Sequence, residues 1–131
     1  MKEITVGKSY TQECVVSEDM LASHVGSGIV DVYATPMMIA FMENTAVKCL
    51  EEFMDEGETS VGVSMNASHD AATPLHMRVK VCATIKAVDR KKITLDIVAQ
   101  DECDTIGKAT HDRFVVNKEK FEQKASSKAH K

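Results

Sequence analysis

Apolar residues in this chain follow two patterns, one with no polar face and one with a period of two. From Pro36 to Met42 every residue is apolar or Pro, and a helix apolar all round must be surrounded, by a sheet or by a partner subunit. Thr35-Pro36 marks its start, with Thr as N-cap and Pro at N1, where a missing N–H costs nothing. The second half is amphipathic, Val47, Leu50, Phe53 and Met54 against Lys48, Glu51, Glu52 and Asp55, so the spacing predicts a helix to about Asp55-Glu56, stopped by Gly57. Beyond Gly57 the alternation predicts strands. Val61, Val63, Met65, Ala67 and His69 form one inward set; Met77, Val79, Val81, Ala83, Ile85 and Ala87 a second; Ile93, Leu95, Ile97 and Ala99 a third. Asp89-Arg90-Lys91-Lys92 and the stretch from Asp101 to Gly107 read as turns, leading to a last strand from Lys108 to Val116. Upstream, Lys8–Val16 reads as a first strand and Ser17 as the N-cap of a short helix that ends in a flexible Gly26-Ser27-Gly28 loop.

A helix of ~20 residues and strands of ~9–10 residues both span ~30 Å. One helix can therefore lie along one curved antiparallel sheet, an α+β architecture occupying residues 1–116. Residues 117–131, with five lysines and little apolar content, read as a charged, solvated and partly disordered tail.

Composition narrows the function classes. With 131 residues there is one core, and a net charge of −4 with four Phe, two Tyr and no Trp argues against a nucleic-acid surface. The longest apolar run is far short of the ~20 residues of a membrane span, and the first residues carry no secretory h-region, so a cytoplasmic chain is expected. No C-x-x-C pair exists among Cys14, Cys49, Cys82 and Cys103, which read as free thiols, and no His or Asp spacing supports a metal.

Three residues could carry chemistry. Glu43 is the one formal charge between Asp31 and Lys48, directly after seven apolar or Pro residues. Buried there, it would need hydrogen bonds and would become a better acid–base group; at the helix rim it would simply reach water. Thr35 lies eight residues earlier, ~80° away around the helix axis, and a hydroxyl at a helix N-terminus suits a bound carbonyl even if it also caps. His69 ends the first inward set, in competition with His24, His76, His111 and His130.

The order Thr35, Glu43, His69 resembles the hot-dog-fold thioesterases related to fluoroacetyl-coenzyme A thioesterase. Three local words agree: Val32-Tyr33-Ala34-Thr35-Pro36, His69-Asp70-Ala71-Ala72-Thr73-Pro74, and Ile106-Gly107-x-x-Thr110-His111-Asp112-Arg113. The resemblance implies that Thr35, Glu43 and His69 are the catalytic residues, that Gly62 lines the acyl pocket and that Arg113 lies near the site. It also implies a homodimer with active sites at the subunit interface, so that Glu43 and His69 of one site belong to different chains. One departure is informative: Val25–Val30, where the fluoroacetyl-specific enzyme places lid phenylalanines, contains no Phe. Thioester hydrolysis is thus expected without fluoroacetyl selectivity.

The expected reaction is hydrolysis of a small acyl-coenzyme A thioester, with no cofactor beyond the coenzyme A of the substrate. Glu43 would attack the carbonyl or activate water. Two alternatives stand beside it: a hot-dog hydratase of enoyl thioesters, giving a hydroxyacyl thioester rather than free thiol, and a non-catalytic acyl-thioester-binding module.

Overall fold

The computed structural model describes residues 1–130. Strand β1 (Ser9–Val15) is followed by a short helix α1 (Ala22–Val25), the central helix α2 (Thr35–Leu50), strands β2 (Glu58–His69), β3 (Arg78–Asp89), β4 (Lys92–Gln100) and β5 (Thr105–Asn117), and helix α3 (Lys118–Ser126). The strands form one antiparallel sheet in the order β1-β3-β4-β5-β2. α2 packs on it, as the α+β reading expects.

The core is built from the expected periods. Val79, Val81, Ala83 and Ile85 of β3 and Ile93, Leu95, Ile97 and Ala99 of β4 meet Met38, Met42, Ala46, Cys49 and Leu50 of α2, all buried. Each large apolar side chain among them contributes ~1.5–3 kcal/mol by leaving water. The opposite face of α2 is left uncovered by the described residues: Pro36 and Ala40 are exposed. Of the four cysteines, all free, only Cys49 is buried and Cys103 is exposed. No helix among the described residues is long and apolar enough to cross a membrane.

The structure corrects several expectations. A bulge between Gly62 and Ser64 inserts Val63 as an extra residue in β2 and reverses the strand's phase. Ser60 and Gly62 therefore face α2 before the bulge, and Met65, Ala67 and His69 after it. Val61 lies opposite the exposed Phe114, and Val63 is 56% exposed rather than inward. A second bulge, at Lys86 in β3, turns Ala87 outward and lets Val88 pack on the core.

α2 stops at Leu50 and tightens into a 3₁₀ turn over Glu51–Phe53. The acids at 51, 52, 55 and 56 oppose the negative end of the helix dipole there. Ser17 holds the expected N-cap position, of a 3₁₀ turn over Glu18–Met20, but makes no side-chain capping bond, its hydroxyl donating to Asp19 instead. The tail expected to be partly disordered starts with a helix, because Asn117 Oδ1 caps it by accepting from Lys120 N–H at 3.0 Å. No residue of α3 is buried.

Candidate active site

Two clusters form along α2. The first lies at its start. Thr35, expected as the N-cap, is instead the first helical residue, and Ala34 occupies the cap position without a side-chain hydrogen bond. The Thr35 hydroxyl is engaged elsewhere: its Oγ1 lies 2.7 Å from Nδ1 of His69, 34 residues away in sequence. Nε2 of His69 is buried and has no hydrogen-bond partner among the described residues. Burial lowers the imidazole pKa, against the opposing charge of Asp70. Tyr33 stands edge-on to the ring, centroids 6.4 Å apart. A cleft of about 300 Å³ opens over this pair, bordered by Gly28, Val30, Tyr33 and Ala71. Ile29, beside it in sequence, is 96% exposed.

Sequence-distant contacts hold His69 there. Its strand partner is Gly107, where a Cβ would come within 2.7 Å of the Ser68 carbonyl oxygen and 2.8 Å of Met38 Sδ. Only glycine lets the first turn of α2 approach β2 and β5 this closely. The segment after His69 is pinned as well. Asp70 N–H donates to the Ile106 carbonyl at 2.7 Å, Tyr33 N–H to the Thr73 carbonyl at 2.9 Å, and the buried Thr73 hydroxyl to Asp101 at 2.9 Å. Asp101 is in turn fixed by the N–H groups of Cys103 and Asp104. Burial pushes its carboxyl up, but these donors outweigh it and hold the pKa below the usual range.

The second cluster surrounds Glu43, which projects from α2 towards Gly62. An added Cβ at Gly62 would lie 3.1 Å from Glu43 Oε2, 3.2 Å from His111 Cε1 and 3.5 Å from Arg113 Nη1. The Glu43 side chain is 45% exposed, so it is neither fully buried nor a free rim carboxylate; Arg113, 6% exposed at the side chain, places Nη1 4.0 Å from its Oε2. Arg113 also donates Nε–H to Ser60 Oγ and Nη2–H to the Ser60 carbonyl, both at 2.8 Å. Burial lowers its pKa, countered by Glu43.

The five residues expected at the site thus fall into a pair, Thr35 with His69, and a trio, Glu43 with Gly62 and Arg113. Within one chain the eight residues from Thr35 to Glu43 rise ~12 Å along the helix. His111, one of several competing histidines in the sequence, is buried in the second cluster. Its signal was present: Ala109, His111, Arg113 and Val115 share one phase of β5, and all are buried.

Comparison with known proteins identifies the family. The family model described as fluoroacetyl-CoA-specific thioesterase (FlK) matches residues 16–119. The fluoroacetyl-CoA thioesterase of Streptantibioticus cattleyicolor is 31% identical over 129 residues, covering 94% of this chain and 93% of that protein. A solved structure of the fluoroacetyl-CoA thioesterase FlK superposes with a TM-score of 0.92 at 30% identity, covering 97% of this chain and 98% of the other. A variant of that enzyme in complex with fluoroacetate and CoA superposes with a TM-score of 0.86 at 31% identity, covering 90% and 99%. The chain therefore belongs to the fluoroacetyl-CoA-specific thioesterase family, a group of thioester hydrolases with the hot-dog fold.

Proposed function

We propose that this protein hydrolyses a small acyl-coenzyme A thioester, with Thr35, Glu43 and His69 as its catalytic residues. The observation that carries the reading is the Thr35–His69 hydrogen bond beside an open cleft, with the buried His69 Nε2 left without a hydrogen-bond partner among the described residues. With Nδ1 accepting from the Thr35 hydroxyl, the neutral imidazole carries its proton on Nε2. That N–H is a donor for the thioester carbonyl oxygen and for the negative charge that develops there. The uncapped start of α2 adds a favourable dipole at the same place.

Glu43 supplies the electron pair, by attack on the carbonyl carbon to give a mixed anhydride or by taking a proton from the attacking water. Either route breaks the carbon–sulfur bond and releases the thiolate of coenzyme A: in the general-base route the proton that Glu43 took from water passes to the sulfur, and in the anhydride route a water then cleaves the Glu43–acyl bond, freeing the acid, restoring the carboxylate and supplying the thiol proton. No cofactor beyond the substrate's coenzyme A enters the scheme.

The ~12 Å between the two clusters along one helix is bridged, in this reading, by a homodimer. The exposed residues Pro36 and Ala40 of α2 face the partner subunit, and each site takes Glu43 from one chain and Thr35 and His69 from the other. Fluoroacetyl selectivity is not part of the proposal. The segment before α2 carries the small residues Gly26, Ser27 and Gly28 and the exposed Ile29, with no phenylalanine to close over an acyl group.

Release of free thiol from a panel of short, medium and aromatic acyl-coenzyme A thioesters tests the activity, and turnover of at least one member is expected. Binding without thiol release from any member would replace the enzyme by a binding module. Gly62→Ala offers a finer check. The position has no left-handed backbone and so no strain, and the half-exposed Glu43 carboxylate can swing away from the new methyl, whereas buried His111 cannot. Melting temperature is expected to fall by a few degrees, because the buried His111 ring must absorb an overlap at 3.2 Å, while turnover falls ~10-fold as the carboxylate leaves its reacting geometry. Unchanged turnover in Gly62→Ala would contradict the placement of Glu43.

A further inference from the structure

His111 is fully buried beneath Gly62, and both of its ring nitrogens have partners. Nδ1 lies 2.7 Å from the Ser64 carbonyl oxygen, which can only accept, so Nδ1 carries the proton. Nε2 lies 3.1 Å from Arg113 Nη1, which can only donate, so Nε2 is the acceptor. These two neighbours fix one tautomer of a neutral imidazole. Ser64 is the first residue past the β2 bulge, so the bulge that turns Gly62 towards Glu43 also delivers the carbonyl that orients His111.

Arg113 is held on three sides. Ser60 takes Nε–H and Nη2–H, and His111 takes one N–H of Nη1. The second N–H of Nη1 remains for Glu43, 4.0 Å away. Without an acceptor at Nε2 of His111, Nη1 loses the hydrogen bond that fixes its distance from the carboxylate.

We propose that His111 is a positioning residue for the reaction: locked as its Nδ1–H tautomer by the Ser64 carbonyl, it accepts from Arg113 and holds that guanidinium against Glu43. The proposal rests on the reading of Glu43 as the reacting carboxylate. His111 itself touches no substrate. Its effect passes through Arg113, so it belongs to kcat rather than to substrate binding.

The test compares His111→Gln, His111→Asn and His111→Leu in the full chain, by thiol release and melting temperature, with ¹⁵N NMR of the histidine-labelled wild type. Gln can place an acceptor where Nε2 stood; Asn reaches Ser64 but not Arg113; Leu has neither group. Gln is expected to keep kcat within ~3-fold of wild type, whereas Asn and Leu lose ~10–30-fold with KM within ~3-fold. In an Arg113→Met background the Leu substitution is expected to cost less than ~2-fold more, since the group it acts through is gone.

If the Leu variant fails to fold, the contrast between Gln and Asn decides alone. Equal losses in Gln and Asn, or a full His111→Leu effect in the Arg113→Met background, would overturn the proposal. So would an Nε2–H tautomer or an imidazolium at His111 at neutral pH, whatever the activity. A wild type that shows the Nδ1–H tautomer but releases no thiol overturns the enzymatic reading, and the catalytic role of His111 with it, while leaving the hydrogen-bond geometry intact.

Discussion

With an acyl-coenzyme A thioester as substrate, Glu43→Gln is expected to lower kcat at least ~100-fold while leaving KM and the fold near those of the wild type. Gln fills the same space, but its amide neither attacks a carbonyl nor accepts the proton of water. Stability should hardly move. Glu43 is nearly half exposed and its Arg113 contact is 4.0 Å long, so solvent screens the pair to ~1 kcal/mol or less. Steady-state thiol release and a thermal melt measure both quantities. Near-normal turnover in Glu43→Gln would remove Glu43 from the mechanism.

The same variant tests the dimer. Mixing Glu43→Gln with His69→Ala chains, each inactive alone, is expected to recover about a quarter of wild-type activity, because half the dimers are hybrids with one intact site of two. A site built within one chain would recover none.

Arg113→Met is the second large effect. It removes three hydrogen bonds from a guanidinium, to Ser60 Oγ, to the Ser60 carbonyl and to His111. Freeing the protein from a buried cation offsets part of this, but His111 Nε2 and the Ser60 carbonyl are left with no donor, and a buried acceptor without one costs about 1–3 kcal/mol. A net loss of roughly 2–4 kcal/mol is expected, or a melting temperature lower by roughly 10 °C for a domain of this size. Turnover should fall ~10–100-fold, since the carboxylate loses the cation that orients it. Arg113→Lys should recover little. An ammonium is a point charge that cannot serve Ser60 and His111 through a fixed fork. A Met variant as stable and as active as the wild type would show that the Arg113 network is incidental.

Much of the fold is legible in the residues because it depends on local periods. The β3 and β4 alternation and the all-apolar Pro36–Met42 stretch place helix and sheet without reference to anything distant, and the structure buries Val79, Val81, Ala83 and Ile85, Ile93, Leu95, Ile97 and Ala99, and Met38 and Met42 of the helix, while Pro36 and Ala40 stay exposed. The spacing predicts α2 running beyond its observed end at Leu50, because amphipathic spacing continues past the point where four acids oppose the helix dipole. The phase of β2 is not legible in this way, because a bulge depends on the register between residues about 50 positions apart, Gly62 with Arg113 and Ser64 with Asp112, which no local window contains.

The site divides in the same way. Sequence alone determined which residues stand out: a solitary carboxylate on an apolar helix, a threonine at that helix's start and a histidine at a strand's end. Tertiary structure decided what each touches. It gave the Thr35 hydroxyl to His69 instead of to the helix end, turned Gly62 to Glu43 through the Val63 bulge, and buried His111 and Arg113 as one hydrogen-bonded unit. The physical reason is that helix and strand preferences act over a few residues, whereas a hydroxyl, an imidazole or a guanidinium takes whichever partner the packed chain brings within 3 Å.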